Sequence, residues 1–250
     1  MFSKASKEIR EATYGFLATS IVAENGPQKT VNTSNGTAFM VAPGYLVTAA
    51  HSVHQEADPS RPVHQGFELI RTPDIGQQME KAVFVAEDTV HDIALLKIEK
   101  PKNSTAVRFE KEIMPRGTNC GFLGFPIANV QFSPDGKRQF NLFERFQGAY
   151  VSNYVIANQG QSGERAFYEI DALMYAGSSG CPAFTVDGKV VGMQVASAMQ
   201  KQKEDNRAER VAISMAVPAS EILDFLKVQN INLANQSGPI RAKLRWGEKK

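Results

Sequence analysis

Short runs of Val, Ile, Phe, Tyr and Thr, each closed by Gly, Pro, Asn or Asp, follow one another along most of this sequence. "ATYGFLATSIVA", "GTAFMVAPGYLVTAA", "KAVFVAEDTVHDIALLKI", "GTNCGFLGFPI", "AYVSNYVIA", "RAFYEIDA", "CPAFTVDGKVVGMQVASA" and "RVAISMAVP" are of this kind. Branched and aromatic side chains fit a pleated, half-buried surface, and the bounding residues are turn formers. Many short strands at such spacing, with little helical periodicity between them, point to an all-β sandwich or to barrels. At 250 residues and 42% hydrophobic content, the chain can bury one large β domain or two small barrels that share an interface.

Helical signals are confined to the ends. Ala5 to Glu11 reads as a short helix. In "PASEILDFLKVQN", Ser220 is placed to cap the first N–H groups, Glu221 lies in the first turn, and Ile222, Leu223 and Leu226 share a face, so a closing helix is expected. "VDGKV" predicts a hairpin with a tight primed turn at Asp187 and Gly188. "QEADPSRPVHQG" reads as a polar surface insertion that places His54 and His64 at the surface, "SPDGKRQ" as an exposed turn, and "MQKQKEDNRAER" as a solvated charged loop. A strand-poor stretch from Pro101 to Pro115 separates two β units. The expected division is therefore 1–108, 109–230, and a basic tail over 231–250.

Charge narrows the function classes. A formal net charge of +2 with 22% charged residues gives no ground for a nucleic-acid or membrane binder. The tail "PIRAKLRWGEKK" is basic, and we read it as solvated rather than as a polyanion site. "MFSKASKEIREATYGFL" mixes charge where a secretory signal would be apolar, and no apolar run is long enough to cross a bilayer. The expected compartment is the cytoplasm. The two cysteines, Cys120 and Cys181, are too few for a disulfide framework and are expected reduced and buried. No histidine or carboxylate spacing suggests a metal site, and no cofactor is expected.

The segment "AGSSGCPAF", Ala176 to Phe184, has two readings: a Gly/Ser turn of linker composition, or the turn that carries a nucleophile. Hydrolysis of an amide needs a nucleophile, a base to take its proton, and a group that fixes the tautomer of the base and stabilises its positive charge. "LVTAAHSV" places His51 at the end of an apolar strand, and "VHDIALLKI" places Asp92 at the head of another. His91 adjoins Asp92, but strand alternation turns it to the opposite face.

"TAAHSV", "DIALLKI" and "GSSGCP" together resemble the signature blocks of chymotrypsin-like (trypsin-fold) serine peptidases, in the same chain order of His, Asp and Ser. "EIDALMYAGSSGCPAF", "GKVVGMQVA" and "ISMAVPASEILDFL" are most similar to blocks of the HtrA/Deg type and its bacterial trypsin-like relatives. The resemblance runs from about Gly36 to Leu226. It implies two six-stranded antiparallel β-barrels, the first carrying His51 and Asp92 and the second carrying Ser179. Ser178 replaces the usual Asn of that group and Cys181 the usual Gly, and no PDZ domain is expected.

By this resemblance His51 is the general base, Asp92 its orienting acid and Ser179 the nucleophile. The backbone N–H groups of Gly177 and Ser179 form the oxyanion hole. The substrate is a polypeptide that adds as a strand along Met193, Gln194, Val195 and Ala196, beside a pocket walled by Leu173 and Met174. Trypsin-type enzymes carry an acid where this chain has Leu173, so a basic preference is disfavoured, and an apolar or small polar side chain is expected. A cysteine nucleophile at Cys181 is the minority reading. The alternative from another class is a catalytically silent or zymogen-like module that binds extended peptides. Relatives of the HtrA type often rest with a malformed oxyanion hole, which by this resemblance makes the loop from Lys201 to Arg210 a candidate regulator and leaves oligomerisation open.

Overall fold

The computed structural model describes residues 1–25, 28–71, 79–126, 129–132, 138–158, 164–201 and 208–233. Helix α1 (Ser3–Ala12) leads into β1 (Thr13–Asn25), β2 (Gln28–Ala42) and β3 (Tyr45–Ala49). The single turn α2 (Ala50–Val53) follows, and then β4 (Gly66–Arg71), β5 (Met79–Asp88) and β6 (Ile93–Lys97). These six strands close into an antiparallel barrel in the order β1-β2-β3-β6-β5-β4. The period of two that marks a strand is plain in β4, where Phe67 and Leu69 are buried while Gly66 and Glu68 are half-exposed. Phe67 stacks on Phe16 of β1 inside the barrel, with ring centroids 6.0 Å apart.

The rest of the chain forms β7 (Arg108–Phe109), β8 (Asn119–Gly124), β9 (Asn129–Phe132), β10 (Arg138–Asn141), β11 (Arg145–Asn158) and β12 (Glu164–Ile170). After these come β13 (Pro182–Phe184), β14 (Lys189–Lys201), β15 (Ala208–Pro218) and helix α3 (Ala219–Val228). Antiparallel pairing runs β13-β8-β11-β12-β15-β14 and returns from β14 to β13, a second ring of strands. Strand β7 adds to β14 in parallel, and β9 and β10 pair as a separate hairpin. The fold is all-β with short helices near both ends. Strand pairing passes from one sheet to the other between Lys97 and Arg108.

One apolar cluster joins the two halves. It contains Ala5 and Ile9 of α1, Phe39, Leu46 and Leu95 of the first barrel, Phe184, Val190 and Met193 of the second, and Ile222 and Leu226 of α3. A second cluster fills the second ring with Cys120, Phe122, Val151, Tyr168, Ile170, Met174, Cys181 and Ala216. Phe2, just before α1, meets Phe184 edge to face at 5.9 Å and also contacts Phe146 at 5.4 Å, so α1 is fastened to the second half as well.

Several local expectations are corrected. Helix α3 starts at Ala219 with Pro218 as its N-cap and has no side-chain cap bond, because β15 stays paired as far as Pro218 and the chain turns before Ser220 is in position. In the Thr185–Lys189 turn only Gly188 has a positive φ, +73°, so the hairpin is not of the primed type. Gly188 N–H donates to Thr185 C=O and Thr185 N–H to Lys189 C=O, the form of a three-residue loop with a glycine bulge. Ile231 and Leu233, assigned by sequence to the tail, pack against the core. Residues 234–250 of that tail, most of "SPDGKRQ", and positions 202–207 of the charged loop lie outside the described residues.

Candidate active site

The register of two core strands brings His51 and Asp92 together. Ala49 of β3 pairs with Ile93 of β6, so α2, which leaves β3, lies beside the turn that enters β6. Ala50 N–H donates to the Asp92 carbonyl at 3.1 Å, and His51 N–H donates to Asp92 Oδ1 at 2.8 Å. The other carboxylate oxygen, Oδ2, accepts from His51 Nδ1 at 2.7 Å. A carboxylate facing Nδ1 puts the ring proton there and leaves Nε2 as an acceptor. Asp92 holds this grip with a φ of +57°, a left-handed backbone that costs about 1–2 kcal/mol for most residues and that Asp tolerates better than others.

Ser179 approaches from the second half of the molecule, in the turn before β13. Its Oγ lies 2.9 Å from His51 Nε2, within hydrogen-bond reach of the unprotonated nitrogen. The His51 and Asp92 side chains are 23% and 14% exposed, shielded from bulk water but open to a ligand.

The turn around Ser179 is held peptide by peptide. Ser178 N–H donates to Tyr175 C=O at 3.0 Å, Gly180 N–H to Gln194 C=O at 2.8 Å and Cys181 N–H to Ser178 C=O at 2.9 Å. Gly177 N–H and Ser179 N–H donate to no acceptor among the described residues. On the other side, Thr37 of β2 donates its N–H to Ser179 C=O at 2.8 Å and its hydroxyl to Gly177 C=O at 2.9 Å. Gly177 and Gly180 have φ of +91° and +84°, values that favour glycine. A Cβ on Gly180 would sit 2.0 Å from the Thr37 carbonyl oxygen, so no larger residue fits there. Thr37 gave no signal in the sequence, because its partners lie far along the chain.

The remaining expected site residues are placed as follows. Leu173 is half-buried near the turn, and Met174 is buried against the second core, where it also lines a small cavity with Tyr175, Ser178 and Cys181. Met193 and Gln194 are not a free edge. Met193 pairs with Pro182 on one side and Val217 on the other, and Gln194 exchanges backbone hydrogen bonds with Gly180 and Cys181. Ala196 is exposed, and Val195 is buried in the core shared by both halves. Among the described residues, β14 has no second strand partner beyond Gln194. Cys181 is buried, and burial pushes its thiol far above the ordinary range, while Cys120 is pushed up to about 12. Burial thus disfavours the thiolate at both sulfurs, which argues against a cysteine nucleophile.

His54 and His64 are buried, contrary to the surface placement expected from their polar segment. His54 faces the Arg61 carbonyl through Nδ1 and Glu87 through Nε2. His64 lies between Ser20 at 3.1 Å and Ser34 at 3.0 Å. Ser20 accepts from Gln65 N–H, leaving its proton for His64 Nδ1, and Ser34 donates to the His54 carbonyl, leaving it to accept from Nε2. This is a satisfied network around a neutral ring. It has no carboxylate partner among the described residues, and burial holds His64 below its usual value. His91 sits in the turn before β6 rather than in a strand, 2.7 Å from Asp88 and 3.5 Å from Glu221, apart from Ser179. Arg165, unmarked in the sequence, stacks on Phe167 at 4.3 Å and feels the charges of Asp92 and Asp88, while its buried Nε has no partner among the described residues.

The family described as "Trypsin-like peptidase domain" matches residues 36–193. An uncharacterized protein, y4bJ, of Sinorhizobium fredii is 28% identical over 169 residues; the match takes in 67% of this chain and 22% of that protein, so the chain spans about a fifth of its relative. Among solved structures, the active form of the Rv3671c protease from M. tuberculosis superposes with a TM-score of 0.62 at 17% identity, over 89% of this chain and 82% of the other. The HtrA-type protease AlgW with a tripeptide gives 0.66 at 18% identity, over 93% of this chain and 64% of the other. At such identities the likeness is one of fold.

Proposed function

The chain belongs to the trypsin-like peptidase domain family, and from that membership we propose that it is a serine endopeptidase acting through Ser179, His51 and Asp92. The observation that carries the reading is the continuous path from Asp92 Oδ2 through the imidazole to Ser179 Oγ, with contacts of 2.7 and 2.9 Å. His51 Nε2 accepts the Ser179 proton as the oxygen attacks a peptide carbonyl carbon. The imidazolium then returns that proton to the leaving amine, and a water repeats the cycle to release the acyl group. Asp92 stabilises the cation and keeps the ring in register. Gly177 N–H and Ser179 N–H, which have no acceptor among the described residues, receive the negative charge on the carbonyl oxygen. The polypeptide substrate lies along β14 beyond Gln194, and the pocket beside Leu173 takes an apolar or small polar side chain.

A fluorophosphonate probe tests the proposal. Covalent labelling of the wild type that is lost in Ser179→Ala supports an enzyme. Absence of labelling in the folded wild type overturns it in favour of a silent peptide-binding module. Cleavage of a peptide library reads the specificity, and dominant cutting after Arg, Lys or Glu contradicts the pocket assignment.

A further inference from the structure

Thr37 stands in the first barrel, yet its polar atoms are committed to the nucleophile turn and its surroundings. Its N–H donates to Ser179 C=O at 2.8 Å, and its carbonyl accepts from the Thr48 hydroxyl at 2.8 Å. Its hydroxyl oxygen accepts from Phe125 N–H at 3.0 Å and lies 2.9 Å from Gly177 C=O. Thr37 is fully buried, so no water competes for these positions.

The directions of these bonds matter. An amide N–H can only donate and a carbonyl can only accept, so the Thr37 hydroxyl receives from Phe125 and must aim its single proton at Gly177 C=O. The peptide between Gly177 and Ser178 is then fixed at both ends, by Thr37 at its carbonyl and by Tyr175 C=O at its N–H. With that plane fixed, the torsion about Gly177 alone sets where Gly177 N–H points. Glycine offers little resistance to rotation, so with the Gly177–Ser178 plane loose both sides of Gly177 would turn freely, and the Thr37 hydroxyl removes one of the two.

From this geometry we propose that Thr37 is a positioning residue for the oxyanion hole: its hydroxyl, oriented by Phe125 N–H, holds the Gly177 peptide so that Gly177 N–H and Ser179 N–H converge on one point. The assignment rests on the serine-peptidase reading above and deepens it. Thr37 touches no substrate. Valine matches threonine in shape but can neither donate to Gly177 nor accept from Phe125. Serine keeps both functions and loses only the methyl group.

The experiment measures saturation kinetics of fluorophosphonate labelling, which separates binding of the probe from bond formation, together with urea unfolding of each variant. Thr37→Val is expected to lower the maximal labelling rate about 100-fold, the scale of a misplaced catalytic group, with half-saturation unchanged. Thr37→Ser is expected to restore most of that rate. Labelling of Thr37→Val at the wild-type rate, or a Thr37→Ser variant as slow as the valine one, overturns the proposal. If the wild type itself is not labelled, the serine-peptidase reading fails instead, so the two failures are distinct. Should Thr37→Val not fold, amide hydrogen exchange in the wild type decides. Slow exchange at Phe125 and Thr37 supports the brace, and unprotected amides at both positions in a protein that still labels refute it.

Discussion

Ala49 and Ile93 face each other across β3 and β6, and this pairing places the His51 imidazole against the Asp92 carboxylate before any ligand arrives. The carboxylate uses both oxygens on a single residue, one on the ring and one on the backbone of His51.

Asp92→Asn is isosteric and tolerates the same left-handed backbone, so it is expected to fold normally. An amide facing Nδ1 favours the wrong tautomer, and turnover or labelling should fall by about four orders of magnitude. Labelling rates beside urea midpoints separate this from unfolding. A loss of less than tenfold would contradict the role of the acid.

Gly180→Ala and Gly117→Ala share a positive φ, +84° and +81°, but differ in surroundings. At Gly117 an added Cβ meets nothing within 4 Å, so only the strain of about 1–2 kcal/mol remains. At Gly180 it meets the Thr37 carbonyl oxygen at 2.0 Å and the Thr48 hydroxyl at 2.5 Å, and the loss is expected to exceed about 4 kcal/mol. Chemical denaturation of the pair measures the difference.

His64 makes stability fall on mild acidification. Burial lowers its pKa from the ordinary 6.5, with the nearby His54 carbonyl only partly opposing. Below 6.5 the unfolded ring gains a proton that the folded ring refuses, so stability is complete above that pH and is lost as pH falls toward the folded value. Asp88 contributes in a lower window. Burial alone would raise it, but hydrogen bonds from His91 and Val90 outweigh that and hold it below 3.8, so its contribution persists until the pH drops beneath that value. Urea midpoints between pH 8 and 5 should decline in the wild type and decline less in His64→Gln.

Cys181→Ala is expected to keep fluorophosphonate labelling, because Cys181 is buried and burial pushes its thiol up, against the thiolate that a sulfur nucleophile needs. Native protein should likewise resist iodoacetamide until unfolded. Loss of labelling in this variant, with folding intact, would reopen the case for sulfur.

The sequence disclosed the strands and the two terminal helices, because each depends on neighbours within a few residues, an apolar run or a turn former, and it singled out His51, Asp92 and Ser179 through the family resemblance of their blocks. What it hid depends on distant partners. The polar composition around His54 and His64 reads as solvated, and it is Ser20, Ser34 and Glu87, each from another strand, together with the Arg61 carbonyl, that let those rings be buried. Thr37 and Arg165 are equally silent in a local reading. Ser220 is a good capping residue defeated by tertiary pairing, since β15 holds Pro218 against Gly192 and the helix begins before Ser220. Met193 and Gln194 read as an open edge because the sequence does not reveal how far the nucleophile turn leans over β14.

The apolar cluster that runs from α1 through both barrels to α3 has a mechanical consequence. Halves that share an interior cannot swing apart like jaws without exposing it, so any ligand that reaches His51 and Ser179 binds while the framework stays still. Heat or denaturant should accordingly melt the folded body in one step, with activity and both barrels lost together.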